Sequence, residues 1–313
     1  MCNENQTAVK EFFLLGFPSL HNIKNLFFSL VLFIYSIIIL VNVLLIILVK
    51  ISSSLQLPMY FFLQNLALAD IFLTTNVVPK MLQVILWGVV SIPFYECMAQ
   101  FYFHSVAGIV ECFLLTAMSY DRYLAICYPL HYFSIMNFRF QVQLATWSWI
   151  LGFLVMVSEM FFIWDLEFCG FNNIDFFFCD FAPLLELSSS DITTVVLEDF
   201  IFSIPVIISP FIFIIVTYVF IIITILKMAS TYGRKKAFST CSSHLSIVCT
   251  YYGTLIAIYV VPSEGRSQNK FRSLLYILLT PLFNPVIYSL RNQEIKIAIG
   301  KMFTKKTLFF FCL

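Results

Sequence analysis

Apolar residues run along this chain in stretches of about twenty or more, broken by short polar segments, and each stretch is long enough to cross bilayer hydrocarbon. Seven can be read: Asn25–Val49, Pro58–Leu82, Pro93–Cys127, Phe140–Phe162, Leu197–Met228, Lys236–Val261 and Ser273–Leu290. They predict an all-α membrane protein, a seven-helix bundle, because helices satisfy their own backbone hydrogen bonds in lipid. Pro58 suits a first helical turn. An eighth segment, Asn292–Phe303, has a different pattern. Ile295, Ile299 and Met302/Phe303 fall on one face, Lys296 and Lys301 on the other. That predicts a short amphipathic helix lying on a membrane surface. The Phe-rich runs read as lipid-facing bulk, and Val31 as a lipid-facing position.

Composition agrees. Of 313 residues, 61% are hydrophobic and 11% charged, against about 45–50% and about 25% in soluble domains. One bundle uses the whole chain, so 1–313 reads as a single domain. A net charge of +1 leaves no footprint for nucleic acid, and the nine cysteines form no CxxC pair. Residues 1–23 mix acids, amides and lysine and lack the order of a signal peptide. With the N-terminus outside, twelve Lys and Arg face the cytoplasm and six face outward. That asymmetry sets the orientation. The loop between the fourth and fifth stretches carries acids and no Lys or Arg, so it translocates easily. Residues 1–24 therefore read as extracellular, and 292–313 as a cytoplasmic tail. Asn5-Gln6-Thr7 is then a glycosylation acceptor at Asn5.

Polar residues inside the stretches carry the functional signal. His104 to Glu111 is seven residues and Glu111 to Arg122 eleven. At about 100° per residue both steps return within about 20° of one face. His104, Gly108, Glu111, Leu115 and Arg122 thus form a stripe that faces the bundle, from one membrane surface to the other. The bland alternative for His104 and Glu111 is hydrogen-bonding glue between helices. Asp70 lies near mid-depth, with Asn42 and Asn284 at matching depths. Two carboxyls, Asp70 and Glu111, cannot cheaply both stay ionised there: one holds a proton, or a cation sits between them. A static polar network is the competing reading. Asp121 and Arg122 stand where the third stretch meets water, and would restrain each other.

Five blocks resemble one family. They are Leu14–Phe17 (LLGF), Leu57–Tyr60 (LPMY) with Leu66–Asp70, Met118–Tyr132 (MSYDRYLAICYPLHY), Lys236–Leu245 (KAFSTCSSHL) and Pro281–Asn292 (PLFNPVIYSLRN). Together they are similar to olfactory receptors, a branch of the rhodopsin-like G-protein-coupled receptors. The resemblance implies a receptor without enzymatic chemistry, in the plasma membrane of olfactory cilia. It would bind a small, largely apolar odorant and activate a stimulatory olfactory-type heterotrimeric G protein, raising cAMP. It implies a pocket of His104, Ser105, Gly108, Ile109, Phe202, Val206, Tyr252, Leu255 and Tyr259. It implies a switch of Asp121, Arg122, Tyr123, Tyr218, Asn284, Pro285 and Tyr288. It further implies a sodium or proton site at Asn42, Asp70, Glu111 and Asn284, and a disulfide between Cys97 and Cys179. The basic run Arg234–Lys236 reads as a positive-inside anchor or a G-protein contact. Olfactory receptors carry two further loop cysteines. Cys169 fits the first, but Ser189 stands at the second, which leaves Cys169 unpaired or paired with Cys2. The alternatives are a receptor of the same class for another small ligand and a polytopic transporter. No inverted repeat supports the transporter, and KAFSTCSSHL weighs against an amine or peptide receptor.

Overall fold

The computed structural model describes residues 9–259, 266–291 and 294–301. Among them, seven helices are long and apolar enough to span a membrane. They are α1 (Lys24–Ile51), α2 (Pro58–Trp87), α3 (Phe94–Cys127), α4 (Phe138–Trp164), α5 (Thr193–Lys227), α6 (Thr231–Tyr259) and α7 (Arg266–Arg291). Most overrun the predicted edges. The 34 residues of α3 extend about 51 Å, against about 30 Å of hydrocarbon. Helix ends in water need no apolar pattern. For this reason Arg234 and Lys235 lie within the first turns of α6 rather than ahead of it. An eighth helix, α8, covers 294–301. It buries Ile295 and Ala298 and exposes Lys296 and Lys301; Met302 and Phe303 lie outside the described residues.

The buried face of α1 is Val31, Ile38, Asn42 and Leu45, spaced as one helical stripe. Val31 is 1% exposed, so the lipid-facing expectation is wrong; its neighbour Leu30, at 52%, is on the outer side. Reading Val31 from hydrophobicity alone could not choose between two apolar faces.

Prolines inside helices remove a donor from the carbonyl four residues earlier. Here two such carbonyls are bonded from another helix. Pro285 frees the carbonyl of Pro281, and Asn42 Nδ2 of α1 donates to it at 3.0 Å. In α5 a π-helical turn, Ile204–Ile208, precedes Pro210. The carbonyl of Val206 accepts from Cys112 Sγ of α3 at 3.2 Å.

One element was not expected. The N-terminal segment, read as an outer tail, contains strand β1 (Glu11–Leu15). It lies between β2 (Val89–Pro93), antiparallel with Phe13 opposite Ser91, and β3 (Asn173–Ile174), parallel. Phe12 and Leu14 are fully buried while Glu11 is exposed and Phe13 half-buried, the alternation of a strand with one face inward. Five apolar-rich residues cannot announce this, since the partners lie far away in sequence. The sheet covers the end of the bundle that holds the Cys97–Cys179 disulfide, whose Cα atoms are 5.5 Å apart. Lys270 of α7, 4% exposed, clasps it: Nζ donates to Asp175 Oδ1 at 2.5 Å and to the Gly16 carbonyl at 2.9 Å.

Gly16 explains the LLGF block. Its N–H donates to Gly88 O at 2.8 Å. A Cβ on Gly16 would stand 2.9 Å from Val84 O and 3.1 Å from Gly88 O, both backbone atoms. Gly88 itself turns α2 into β2 at φ 80°, a region that suits glycine. Gly16→Val is therefore expected to unseat the sheet and sharply lower surface delivery, scored by antibody staining of intact cells. Wild-type staining would show that the close approach is not required.

Candidate functional site

The polar stripe on α3 organises three layers. In the layer under the sheet, His104 is 6% exposed. Its ring lies 4.9 Å from that of Phe178, in the loop after α4, and 6.2 Å from that of Tyr276 on α7. His104 Nδ1 meets no partner among the described residues. A turn below, the Gly108 carbonyl accepts from Tyr251 Oη of α6 at 2.7 Å. A Cβ on Gly108 would stand 3.2 Å from Tyr276 Oη. Tyr252 packs its ring 4.5 Å from Phe211 of α5 and lies 3.0 Å, Oη to Sγ, from Cys112. Val206 is buried on the π-helical turn, while Ser105, Ile109, Phe202 and Leu255 are half-buried. Asn5 and the side chain of Tyr259 lie outside the described residues. Two cavities, of about 330 and about 380 Å³, lie elsewhere. One is lined by Phe17, Lys24, Phe27 and Val84–Val89, the other by residues of α3, α4 and α5 including Tyr120 and Trp147. Neither is lined by His104 or Gly108.

The loop above this layer is held from below. Cys179 N–H donates to Gln100 Oε1 at 2.9 Å, and Gln100 exchanges hydrogen bonds with the backbone and side chain of Asn76 on α2. Asp180 caps the turn Phe181–Leu185 by accepting from Phe181 N–H at 2.9 Å. Burial nonetheless pushes its carboxyl up to about 6.

In the middle layer, Asp70 is fully buried and accepts from Asn284 Nδ2 at 2.9 and 3.1 Å. Glu111 is also fully buried beside the Asp70 carboxyl, and neither of its carboxyl oxygens meets a donor group among the described residues. Asn42 is not bonded to this pair, since its amide is committed to Pro281. Unmatched buried oxygens are costly. Carboxyl oxygens are the donors that hard cations take, so the residues fit a sodium ion, or a proton on one carboxyl.

In the third layer, Arg122 donates to Asp121 Oδ2 from Nε at 3.0 Å and from Nη2 at 2.5 Å. Tyr132 Oη donates to Asp121 Oδ1 at 2.7 Å. Asp121, 0% exposed, thus has both oxygens matched. Tyr132 sits on the short turn Tyr132–Ile135 after α3, and burial beside Asp121 pushes its phenol above the ordinary range. Above this pair, His244 of α6 is fully buried. Its Nε2 lies 3.2 Å from Leu115 O on α3, and its Nδ1 lies 2.8 Å from Tyr218 Oη on α5. A carbonyl can only accept, so Nε2 carries the proton and Nδ1 accepts from the tyrosine. His244 thereby bolts three helices together. Tyr288 Oη is buried with no partner among the described residues. Tyr123 stacks on Tyr120 and meets Tyr128 edge to face instead of joining the Asp121 cluster.

The sequence alone assigns no role to Tyr132, His244, Tyr251 or Tyr276. Tyr132 closes the PLHY block and His244 is the last residue but one of KAFSTCSSHL; a lone histidine on an apolar helix is the available signal. Tyr251 and Tyr276 had none beyond being aromatic.

Seven spans, a disulfide-anchored sheet over one end and an acid–arginine clasp at the other define a multi-pass receptor fold of the rhodopsin-like kind. Known proteins agree. The pattern of the olfactory receptor family matches residues 31–306. Rat olfactory receptor 1468 is 43% identical over 312 residues, 99% of both chains. Human olfactory receptor 2D2 is 44% identical over 301 residues, covering 96% of this chain and 98% of its own. Human olfactory receptor 1J2 is 44% identical over 311 residues, 99% of both. The chain belongs to the olfactory receptor family, odorant-binding receptors that couple to G proteins and are not enzymes.

Proposed function

We propose that this receptor binds a small, largely apolar volatile compound between α3, α5, α6 and α7, and answers by activating a stimulatory olfactory-type G protein, raising cAMP. The observation that carries the reading is α3 itself. One rod bears His104 and Gly108 beneath the sheet, Glu111 at mid-depth and Arg122 at the far end. The α6 helix touches that rod at two levels, through Tyr251 on Gly108 and Tyr252 on Cys112 near the sheet, and through His244 on Leu115 deeper down. A ligand wedged at the first level would strain the second. Release of His244 would let α6 swing away and free Arg122 for the G protein. The sheet end faces outward and Arg122 faces the cytoplasm, in the plasma membrane of sensory cilia, with 1–313 acting as one domain. The pocket walls are aromatic and aliphatic, with His104 Nδ1 as a polar group left for the ligand, which suits a compound with one hydrogen-bonding group. Asp70 and Glu111 would hold sodium or a proton, which supplies the positive charge that the middle layer lacks.

Gly108 tests the pocket. Agonists of graded size, found by screening volatile compounds, would be titrated with a cAMP reporter. Gly108→Leu is expected to raise the effective concentration of a large agonist by about tenfold more than that of a small one, ~1.4 kcal/mol. Gly108→Ala should have a smaller effect in the same direction. Leu30→Val, on the lipid side of α1, should change neither. Equal shifts for every agonist, matched by lost surface protein, would return Gly108 to helix packing.

A further inference from the structure

We infer that the cavity between the start of α1 and the turn from α2 into β2 binds a free fatty acid, with its carboxylate on Lys24 and its alkyl chain among Phe17, Phe27 and Trp87. The cavity measures about 330 Å³, within the range of small-ligand sites, about 300–1,000 Å³. It lies apart from the α3 stripe. Phe17 and Leu20 come from the segment after β1, Lys24 and Phe27 from α1, and Val84–Val89 from the end of α2 and its turn. Gly88 keeps this corner open. At φ 80° it carries the chain away from α2, and a Cβ there would meet no atom within 4 Å.

Charge selects the ligand. Lys24 is half-buried in the cavity wall. Its Nζ donates to the Leu86 carbonyl at 3.4 Å, a long bond that leaves further N–H groups of the ammonium to place. Among the described residues no carboxyl pairs with it. By contrast Lys80 and Lys270, at the same end of the bundle, are paired with Glu96 and Asp175. No acid stands in the first turn of α1, and none lines the cavity. An ammonium set into an apolar wall without a counter-charge favours an anion beside it.

The walls decide what carries that anion. Phe17, Leu20, Phe27 and Ile85 are apolar, and a bare inorganic ion would leave them uncovered. One ammonium matches one negative charge, and the volume suits a single chain rather than a two-chain phospholipid. The site also stands where such a molecule partitions. Lys24 directly precedes the apolar stretch that begins at Asn25, and Trp87, 69% exposed, marks the same membrane interface. Occupancy would reach beyond the cavity. The ring of Phe17 lies 5.3 Å from that of Phe27 and 5.3 Å from that of Phe177, in the loop after α4. Phe177 lies 5.0 Å from Phe178, and Phe178 lies 4.9 Å from His104. A chain seated against Phe17 therefore braces the loop that covers the sheet end of the α3 stripe.

The test uses purified full-length receptor in nanodiscs of phosphatidylcholine and a photoreactive diazirine analogue of decanoic acid. Illumination should attach the probe to peptides from residues 17–27 or 84–89, and unmodified decanoic acid should compete. Lys24→Gln should weaken labelling about tenfold or more, the scale of a hydrogen bond to a charged group, and Lys24→Arg should restore it. Leu20→Trp, which fills the cavity, should block labelling with Lys24 in place. The methyl ester, which keeps the chain and lacks the charge, should compete poorly. Decanoic acid should also raise the thermal midpoint of the native chain and not that of Leu20→Trp; the midpoint of each variant without ligand shows that it is folded. Labelling spread over lipid-facing helix surfaces, equal competition by the ester, or unchanged labelling in Lys24→Gln would each overturn the inference. Loss of labelling when phosphatidylglycerol replaces phosphatidylcholine would give Lys24 to a phospholipid headgroup and overturn it as well.

Discussion

Arg122→Ala is expected to abolish agonist-driven cAMP. In the structure the guanidinium is held on Asp121, whose other oxygen is filled by Tyr132. Charge-assisted hydrogen bonds of this kind are among the stronger ones, so the clasp holds Arg122 on Asp121; under the proposed mechanism it is freed when α6 moves. Removing Arg122 also leaves Asp121 buried with a single neutral partner. Breaking a buried pair from one side costs about 3–5 kcal/mol, so part of the surface protein will be lost. The double variant Asp121→Asn/Arg122→Ala carries no buried charge and should restore delivery without restoring the response. Tyr132→Phe moves in the opposite direction. It removes one restraint on Asp121 and keeps Arg122, so basal cAMP should rise. A full agonist response from the well-expressed double variant would exclude Arg122 from coupling.

Cys97→Ser and Cys179→Ser are each expected to remove nearly all receptor from the cell surface, and the double variant to be no worse. Loss of a native disulfide commonly costs about 2–5 kcal/mol, a large share of typical stability. Here the bond also anchors the loop that carries β3, Phe178 and the Asp175 end of the Lys270 clasp. Once it is broken from one side, the second change removes nothing more. Surface staining that falls additively from single to double variant would show that the two cysteines act separately.

The spans were legible because lipid imposes one rule on twenty residues at a time. The stripe on α3 was legible because the helical period carries a polar residue back to the same face regardless of tertiary detail. Asp121 and Arg122 stood out because charge next to an apolar run is costly. The sheet was not legible. Its pattern is five residues long, and its pairing depends on Ser91 and Asn173, far off in the chain. Nor was the lateral direction of an all-apolar face, as Val31 shows. Hydrogen bonds that close proline gaps, such as Asn42 on Pro281, need the neighbouring helix in place before the donor has meaning. The Tyr251 and Tyr276 hydroxyls belong to the same class: tyrosine reads as bulk until its oxygen finds an atom.

The order of strands in the sheet has a consequence for biogenesis. β1 is the first of the three to leave the ribosome and the central one in the sheet. Its second neighbour, Asn173–Ile174, follows some 160 residues later, after four helices have been inserted. Through that interval the apolar edge of β1 has no complete docking site and must wait outside the bilayer. Closure of the sheet is thus a late, long-range step, of the slow kind that high contact order produces. With the outward N-terminus proposed above, nascent chains stalled before β3 would present Phe12 and Leu14 to whatever in the lumen binds exposed apolar strands, and quality control would read completion of the whole receptor from that one edge.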